Sequence, residues 1–140
     1  RHACGISDAG SVEVDPKARH PVVEFMPEQR ETLKLGGSMR LGSHEINIRD
    51  STMAESIYRT DTIYGRHRHR YELNRRYIDV LEKGGLVLSG FSDGDKRTEI
   101  LEIPKHKFYF ATQYHSEFGS RLGKPERSFL AFVESASAKA

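Results

Sequence analysis

Three stretches of the chain hold residue types that do chemistry. The first is Tyr114-His115-Ser116-Glu117-Phe118. A neutral imidazole can take a proton from a nucleophile, and a carboxylate two residues on can hold the ring's other nitrogen and stabilise the imidazolium. His115 therefore reads as a base and Glu117 as its orienter. The plainer reading is a strand-end histidine beside a solvated carboxylate. The second stretch is Gly65-Arg66-His67-Arg68-His69-Arg70-Tyr71-Glu72-Leu73-Asn74. In an extended strand Arg66, Arg68 and Arg70 face one way and His67 and His69 the other. Arginine at a site edge suits bidentate capture of a carboxylate or phosphate. Two histidines on one face suit a metal, and a basic, solvated strand needs neither. The third is Ser11-Val12-Glu13-Val14-Asp15-Pro16, where Glu13 could receive a ligand's ammonium group or stand exposed at a strand end. Cys4 has no strand–elbow–helix pattern around it and reads as a structural cysteine, not a nucleophile.

These residues need elements to position them. Pro21–Phe25 predicts a short strand, and Ser38–Ile48 alternates as antiparallel strands do. Thr52 and Glu55 form a capping box, which predicts a helix over 52–58. Arg66–Asn74 alternates charge and ring and reads as a strand; Asn74 then caps a helix over 75–83 that Gly84-Gly85 stops. Leu86–Phe91 and Thr98–Ile103 read as strands joined by the hairpin signal Asp93-Gly94. Phe108–Tyr114 is the most continuous apolar run and reads as a central strand. Phe129, Phe132, Val133 and Ala136 recur at helical spacing and predict a C-terminal amphipathic helix. Residues 27–37 read as a loop.

Composition narrows the classes. The 140 residues, 36% of them hydrophobic, fit one domain. The net charge of +2 gives no electrostatic reason to expect nucleic acid or an anionic membrane as partner. A single cysteine excludes an internal disulfide framework and a cysteine-based zinc site. No apolar run reaches a membrane span and no signal-peptide pattern opens the chain, so a cytoplasmic setting is the expectation. The first residue is Arg1, not Met, which suggests a cleaved or truncated product.

Taken together, four segments resemble the glutamine amidotransferase domain of the CTP synthase family. They are Ser11–Pro16 followed by His20-Pro21-Val22-Val23, then Gly36-Gly37-Ser38-Met39-Arg40-Leu41-Gly42, Arg66–Asn74, and Gln113–Phe118. The resemblance implies an α/β fold, the C-terminal, β-rich portion of a flavodoxin-like class I glutamine amidotransferase domain spanning 1–140. It implies a Cys-His-Glu triad that hydrolyses glutamine and passes ammonia to a synthetase domain, where ATP-activated UTP becomes CTP. By the same resemblance His115 is the general base, Glu117 its orienting carboxylate, and Glu13 and Arg70 contact bound glutamine. The loop over 28–37 resembles a lid associated with the response to GTP.

The family's Gly-x-Cys-Leu-Gly elbow has no counterpart here, and Cys4 does not fall on it. Ser116 stands where the family commonly has proline, Lys107 replaces another, and Val12 replaces a common threonine. The expectation is thus a partial domain that lacks the upstream nucleophile half, inactive alone, and dependent on that half and on the synthetase domain. No metal or cofactor is expected in this chain; ATP, Mg, the effector GTP and a homotetramer are implied for the parent enzyme. A noncatalytic ligand-binding module that keeps Glu13 and Arg70 is the alternative. A metal protein built on His67, His69, His106 and His115 is a third reading, with no further ligand pattern behind it.

Overall fold

The computed structural model describes residues 2, 4–26 and 39–138. The proposed lid over 28–37 and the Gly36-Gly37-Ser38 part of the second family segment lie outside them. The elements that carry the site grow from β3 (Arg40–Ile48) and β4 (Thr62–His69), which pair antiparallel from Arg40 opposite His69 to Asn47 opposite Thr62. Alternation sets their faces. Ile46, Ile48, Gly65 and His67 are buried on one side, while Glu45, Tyr64, Arg66 and Arg68 are exposed on the other.

β3 also pairs with β6 (Val87–Ser92), β6 with β7 (Arg97–Glu102), and β7 with β8 (Phe110–Thr112), all antiparallel. The resulting sheet runs β4-β3-β6-β7-β8. The β6–β7 turn follows the Asp93-Gly94 signal: Asp93, Gly94 and Asp95 have φ of 53°, 65° and 62°, left-handed values that glycine and aspartate accept more readily than most residues. A second sheet joins β1 (Ala9–Ser11) in parallel to β2 (His20–Phe25), and β2 antiparallel to β5 (Tyr71–Leu73). The Arg97–Glu72 ion pair at 2.5 Å ties β5 to β7.

The helices form where their caps predict. Helix α1 (Met53–Tyr58) starts at Thr52, whose hydroxyl accepts from the Glu55 amide at 3.2 Å. The Glu55 carboxylate reaches back to the Ser51 amide at 2.7 Å, one residue before the usual partner of a capping box. Two further amides of the first turn, Met53 and Ala54, donate to the buried Glu102 carboxylate of β7 at 2.8 and 3.0 Å. Asn74 accepts from the Arg76 amide at 3.1 Å and opens a 3-10 turn that leads into α2 (Ile78–Lys83). Glu126 caps α3 (Arg127–Ser137).

The core lies between α1 and one face of the five-stranded sheet. Ile46, Ile48, Ala54, Tyr58, Ile100 and Tyr114 form it, with Ile57, Ile63 and Phe110 packed against them. Each fully buried isoleucine contributes about 1.5–3 kcal/mol. Two expectations change. The run Phe108–Tyr114 is not a central strand: β8 covers only three of its residues and stands at the edge of its sheet. Its rings are apolar because they pack on α3, Phe108 lying 5.7 Å from Phe132. The predicted amphipathic face of α3 forms, yet Phe129, Leu130, Phe132 and Val133 remain between 42% and 57% exposed. Finally, β4 stops at His69, so Arg70 does not continue the outward row of Arg66 and Arg68. It sits half-buried at the junction with β5.

Candidate active site

After β8 the chain turns sharply. The Thr112 hydroxyl donates to the Tyr114 carbonyl at 2.9 Å, and the His115 amide donates to the Arg66 carbonyl of β4 at 2.8 Å. Ser116–Gly119 then form a single 3-10 turn. This brings the two candidate residues together: His115 Nδ1 and Glu117 Oε1 are 2.6 Å apart. A carboxylate only accepts, so Nδ1 carries a proton, and in the neutral ring Nε2 keeps its lone pair. The hydrogen bond from His115 holds the Glu117 carboxyl below the usual carboxylate range, so it is ionised at neutral pH. Phe118 stacks at 5.3 Å from the imidazole and lies under the Arg66 guanidinium at 5.9 Å.

The pair opens on a concavity of about 590 Å³ whose walls include Phe108, Tyr109, Phe110, Phe129 and Phe132. The His115 side chain is 36% exposed, accessible to a reactant from that side. An imidazole with Nδ1 fixed on a carboxylate and Nε2 open is equipped to take a proton and hold the charge that results.

The two other candidates come from other elements. Glu13 is exposed in the turn after β1, its amide donating to the Ser11 hydroxyl at 3.2 Å. Arg70 offers its carbonyl to the Met26 amide at 3.0 Å. Its Nε is buried and has no hydrogen-bond partner among the described residues. No hydrogen bond or ion pair among the described residues joins Glu13 or Arg70 to His115, Glu117 or each other. Cys4 is half-buried with its sulfur against Gly84 at the end of α2, and no contact brings it to His115.

The histidines of β4 serve the interior. His69 Nδ1 bonds the Tyr71 carbonyl at 2.9 Å, so its Nε2 accepts from His67 Nδ1 at 2.9 Å. Burial, followed by the nearby Arg40 charge, holds the His67 pKa down to about 3, and burial lowers that of His69. Beside them the Arg40 guanidinium donates to Glu99 and to the Ser92 hydroxyl, all three side chains buried. In the structure His67 and His69 bond each other, His106 bonds the Phe108 carbonyl, and His115 bonds Glu117. Among the described residues no three His, Cys, Asp or Glu converge on a cation position.

Sequence reasoning missed Gly65 and Tyr58. Gly65 presses on the Tyr114 ring, so that a Cβ there would lie 2.5 Å from Tyr114 Cγ. Tyr58 reaches the Tyr114 hydroxyl at 2.6 Å. A glycine interrupting the alternation of β4 was the only signal for the first; the second contact spans 56 positions and left no local trace.

Known proteins match the chain along nearly its whole length. The family model for class-I glutamine amidotransferases matches residues 9–135. The CTP synthase of Archaeoglobus fulgidus is 46% identical over 136 residues, 97% of this chain and 26% of that protein. The CTP synthase of Pyrococcus abyssi is 47% identical over 137 residues, again 97% and 26%. The chain thus spans about a quarter of the length of these relatives. Among solved structures, the glutaminase domain of Trypanosoma brucei CTPS with bound acivicin superposes with a TM-score of 0.87 at 35% identity, over 98% of this chain and 53% of that one.

Proposed function

The chain belongs to the class-I glutamine amidotransferase family, and from that membership we propose that it supplies the His–Glu part of the glutaminase site of a CTP synthase. The observation that carries the reading is the His115–Glu117 pair, 2.6 Å apart and open to the aromatic concavity. His115 Nε2 takes the proton of a cysteine thiol, and the thiolate attacks the side-chain amide carbon of glutamine. The proton passes to the departing ammonia, leaving a glutamyl thioester. His115 then draws a proton from water, whose oxygen displaces the thiolate and yields glutamate. Glu117 holds the imidazole in its working tautomer and offsets the positive charge at each transfer. Glu13 and Arg70 bind the ammonium and carboxylate ends of glutamine, a guanidinium being suited to a carboxylate.

The nucleophile in this reading comes from a segment outside these 140 residues, because Cys4 packs against α2. The product ammonia goes to a synthetase domain that converts UTP to CTP, in a protein that assembles as a homotetramer. ATP and Mg belong to that domain. GTP acts as effector of the same assembly.

The test compares nitrogen sources in the full-length protein. His115→Asn is expected to lower glutamine-dependent CTP formation by at least about 10³-fold. Formation from added ammonia persists, since it bypasses hydrolysis. Equal loss with both sources would overturn the assignment of His115 to hydrolysis. Glutamine binding without hydrolysis in the unaltered protein would favour the ligand-binding module.

A further inference from the structure

The residue before the candidate base is anchored from a distance. The Tyr114 hydroxyl is 2.6 Å from that of Tyr58, the last residue of α1, and the Tyr58 hydroxyl donates to Glu126 Oε1 at 2.8 Å. Each hydroxyl has one proton, and the one on Tyr58 goes to the carboxylate. Tyr58 must then accept from Tyr114, so the chain runs Tyr114 to Tyr58 to Glu126. The other Glu126 oxygen accepts from the amide of Ser128 at 2.8 Å and from its hydroxyl, in the first turn of α3. Arg127 donates to the Tyr58 carbonyl, closing the link between the helices. Both rings are buried, at 6% and 5% exposure, and burial pushes both phenols far above their ordinary pKa. They are therefore protonated donors at any working pH. Tyr114 is pinned at its ring by Gly65 and at its hydroxyl by Tyr58, and the His115 amide is held by Arg66.

We propose that Tyr58 is a positioning residue for His115: through the Tyr114 hydroxyl, and with Glu126 as anchor, it fixes the backbone from which His115 and Glu117 project. The proposal rests on the glutaminase reading for its effect on rate, but its structural half does not. A chain that only filled the core would change stability without selecting the turn at His115.

The test uses the full-length protein. Tyr58→Phe removes the middle link and leaves the Tyr114 hydroxyl and Glu126 Oε1 both unpartnered; adding Tyr114→Phe removes one of those orphans. For Tyr58→Phe, kcat for glutamine hydrolysis is expected to fall on the order of tenfold to a hundredfold. KM for glutamine stays within about twofold, because the variant does not touch the groups that bind it. Amide exchange speeds up over residues 112–119 and not in β3. The double variant regains stability relative to Tyr58→Phe, since paired removal is cheaper than orphaning, but its kcat stays low because the tether from Tyr114 to Tyr58 is still missing. If Tyr58→Phe does not fold, Tyr114→Phe, which leaves Tyr58 with Glu126, is expected to show the same pattern in milder form. A kcat within about twofold of the unaltered protein, equal changes in kcat and KM, or a double variant whose kcat returns to that of the unaltered protein would overturn the proposal. If the unaltered protein does not hydrolyse glutamine, the functional reading fails and exchange decides alone. Faster exchange confined to 112–119 upholds the positioning role, and unchanged exchange there ends it.

Discussion

Gly65→Ala adds one methyl group at the point where β4 meets the turn that carries His115. The new Cβ would stand 2.5 Å from Tyr114 Cγ, 2.7 Å from Tyr114 Cβ and 2.8 Å from Ile46 Cδ1. Carbon atoms pack at about 3.5–4.0 Å, so roughly 1 Å must be found. Ile46 cannot yield, because it is fully buried between β3 and α1. β4 cannot easily withdraw, because it is paired to β3 from Arg40–His69 to Asn47–Thr62. Tyr114 must move, against its hydrogen bond to Tyr58, and it takes the backbone of His115 with it. Overpacking of this kind costs about 1–3 kcal/mol. A displacement of about 1 Å at a catalytic group costs on the order of a hundredfold in rate. The assay pairs the urea midpoint with the rate of glutamine hydrolysis in the full-length protein. Gly119→Ala is the control: its Cβ would meet Glu126 Cγ at 3.5 Å, an ordinary contact. Normal stability together with a normal rate in Gly65→Ala would refute the claim that Tyr114 is wedged in place.

Two further outcomes concern stability. Burial first, and the Arg40 charge after it, lower His67 from 6.5 to about 3, so below pH 6.5 the unfolded chain takes up a proton that the folded one refuses. Stability therefore falls as pH drops through that window, by at most about 5 kcal/mol. His67→Gln is expected to flatten the dependence of the urea midpoint on pH between 6.5 and 3; an unchanged slope would contradict it. Glu102→Ala strips the carboxylate from the Met53 and Ala54 amides, and by the usual strength of hydrogen bonds to charged groups it should cost about 2–4 kcal/mol. Loss of less than about 0.5 kcal/mol in a denaturation experiment would mean that water caps α1 equally well.

What could be read in the sequence was what is local. The bond of His115 to Glu117 joins positions two apart, as does the Asn74 cap, and the Thr52 cap joins positions three apart. Residue types at such spacings announce them. The alternation of Arg66–His69 likewise survives in the strand, with the arginines outside and the histidines inside. Long-range pairings gave no such signal. Glu99 and Glu102 look like ordinary solvated strand residues until Arg40, 59 positions away, and the first turn of α1 supply their partners. Strand β1, the parallel partner of β2, comes from a glycine-containing, weakly patterned stretch that carries no strand period. The apolar run at 108–114 misled because hydrophobicity measures burial and not rank within a sheet. Its rings are partly covered by α3 while its backbone stands at an edge.

The β6–β7 turn bears on how the molecule ages. Aspartate followed by glycine is the pair most open to rearrangement: the glycine nitrogen attacks the aspartate side chain, closes a five-membered imide, and reopens it as isoaspartate, with one extra atom in the main chain. A neutral carboxylic acid undergoes this attack far more readily than a carboxylate. At Asp93 partial burial favours the neutral form, but the Arg97 hydrogen bond and the charges of Arg40 and Arg97 outweigh it and hold the carboxyl below its usual range. Arg97 Nε grips the same carboxylate at 2.5 Å. The two arginines thus do more than join strands. They keep a chemically perishable dipeptide in its slow-reacting form, and the tip of the β6–β7 turn is protected by the charges it brings together.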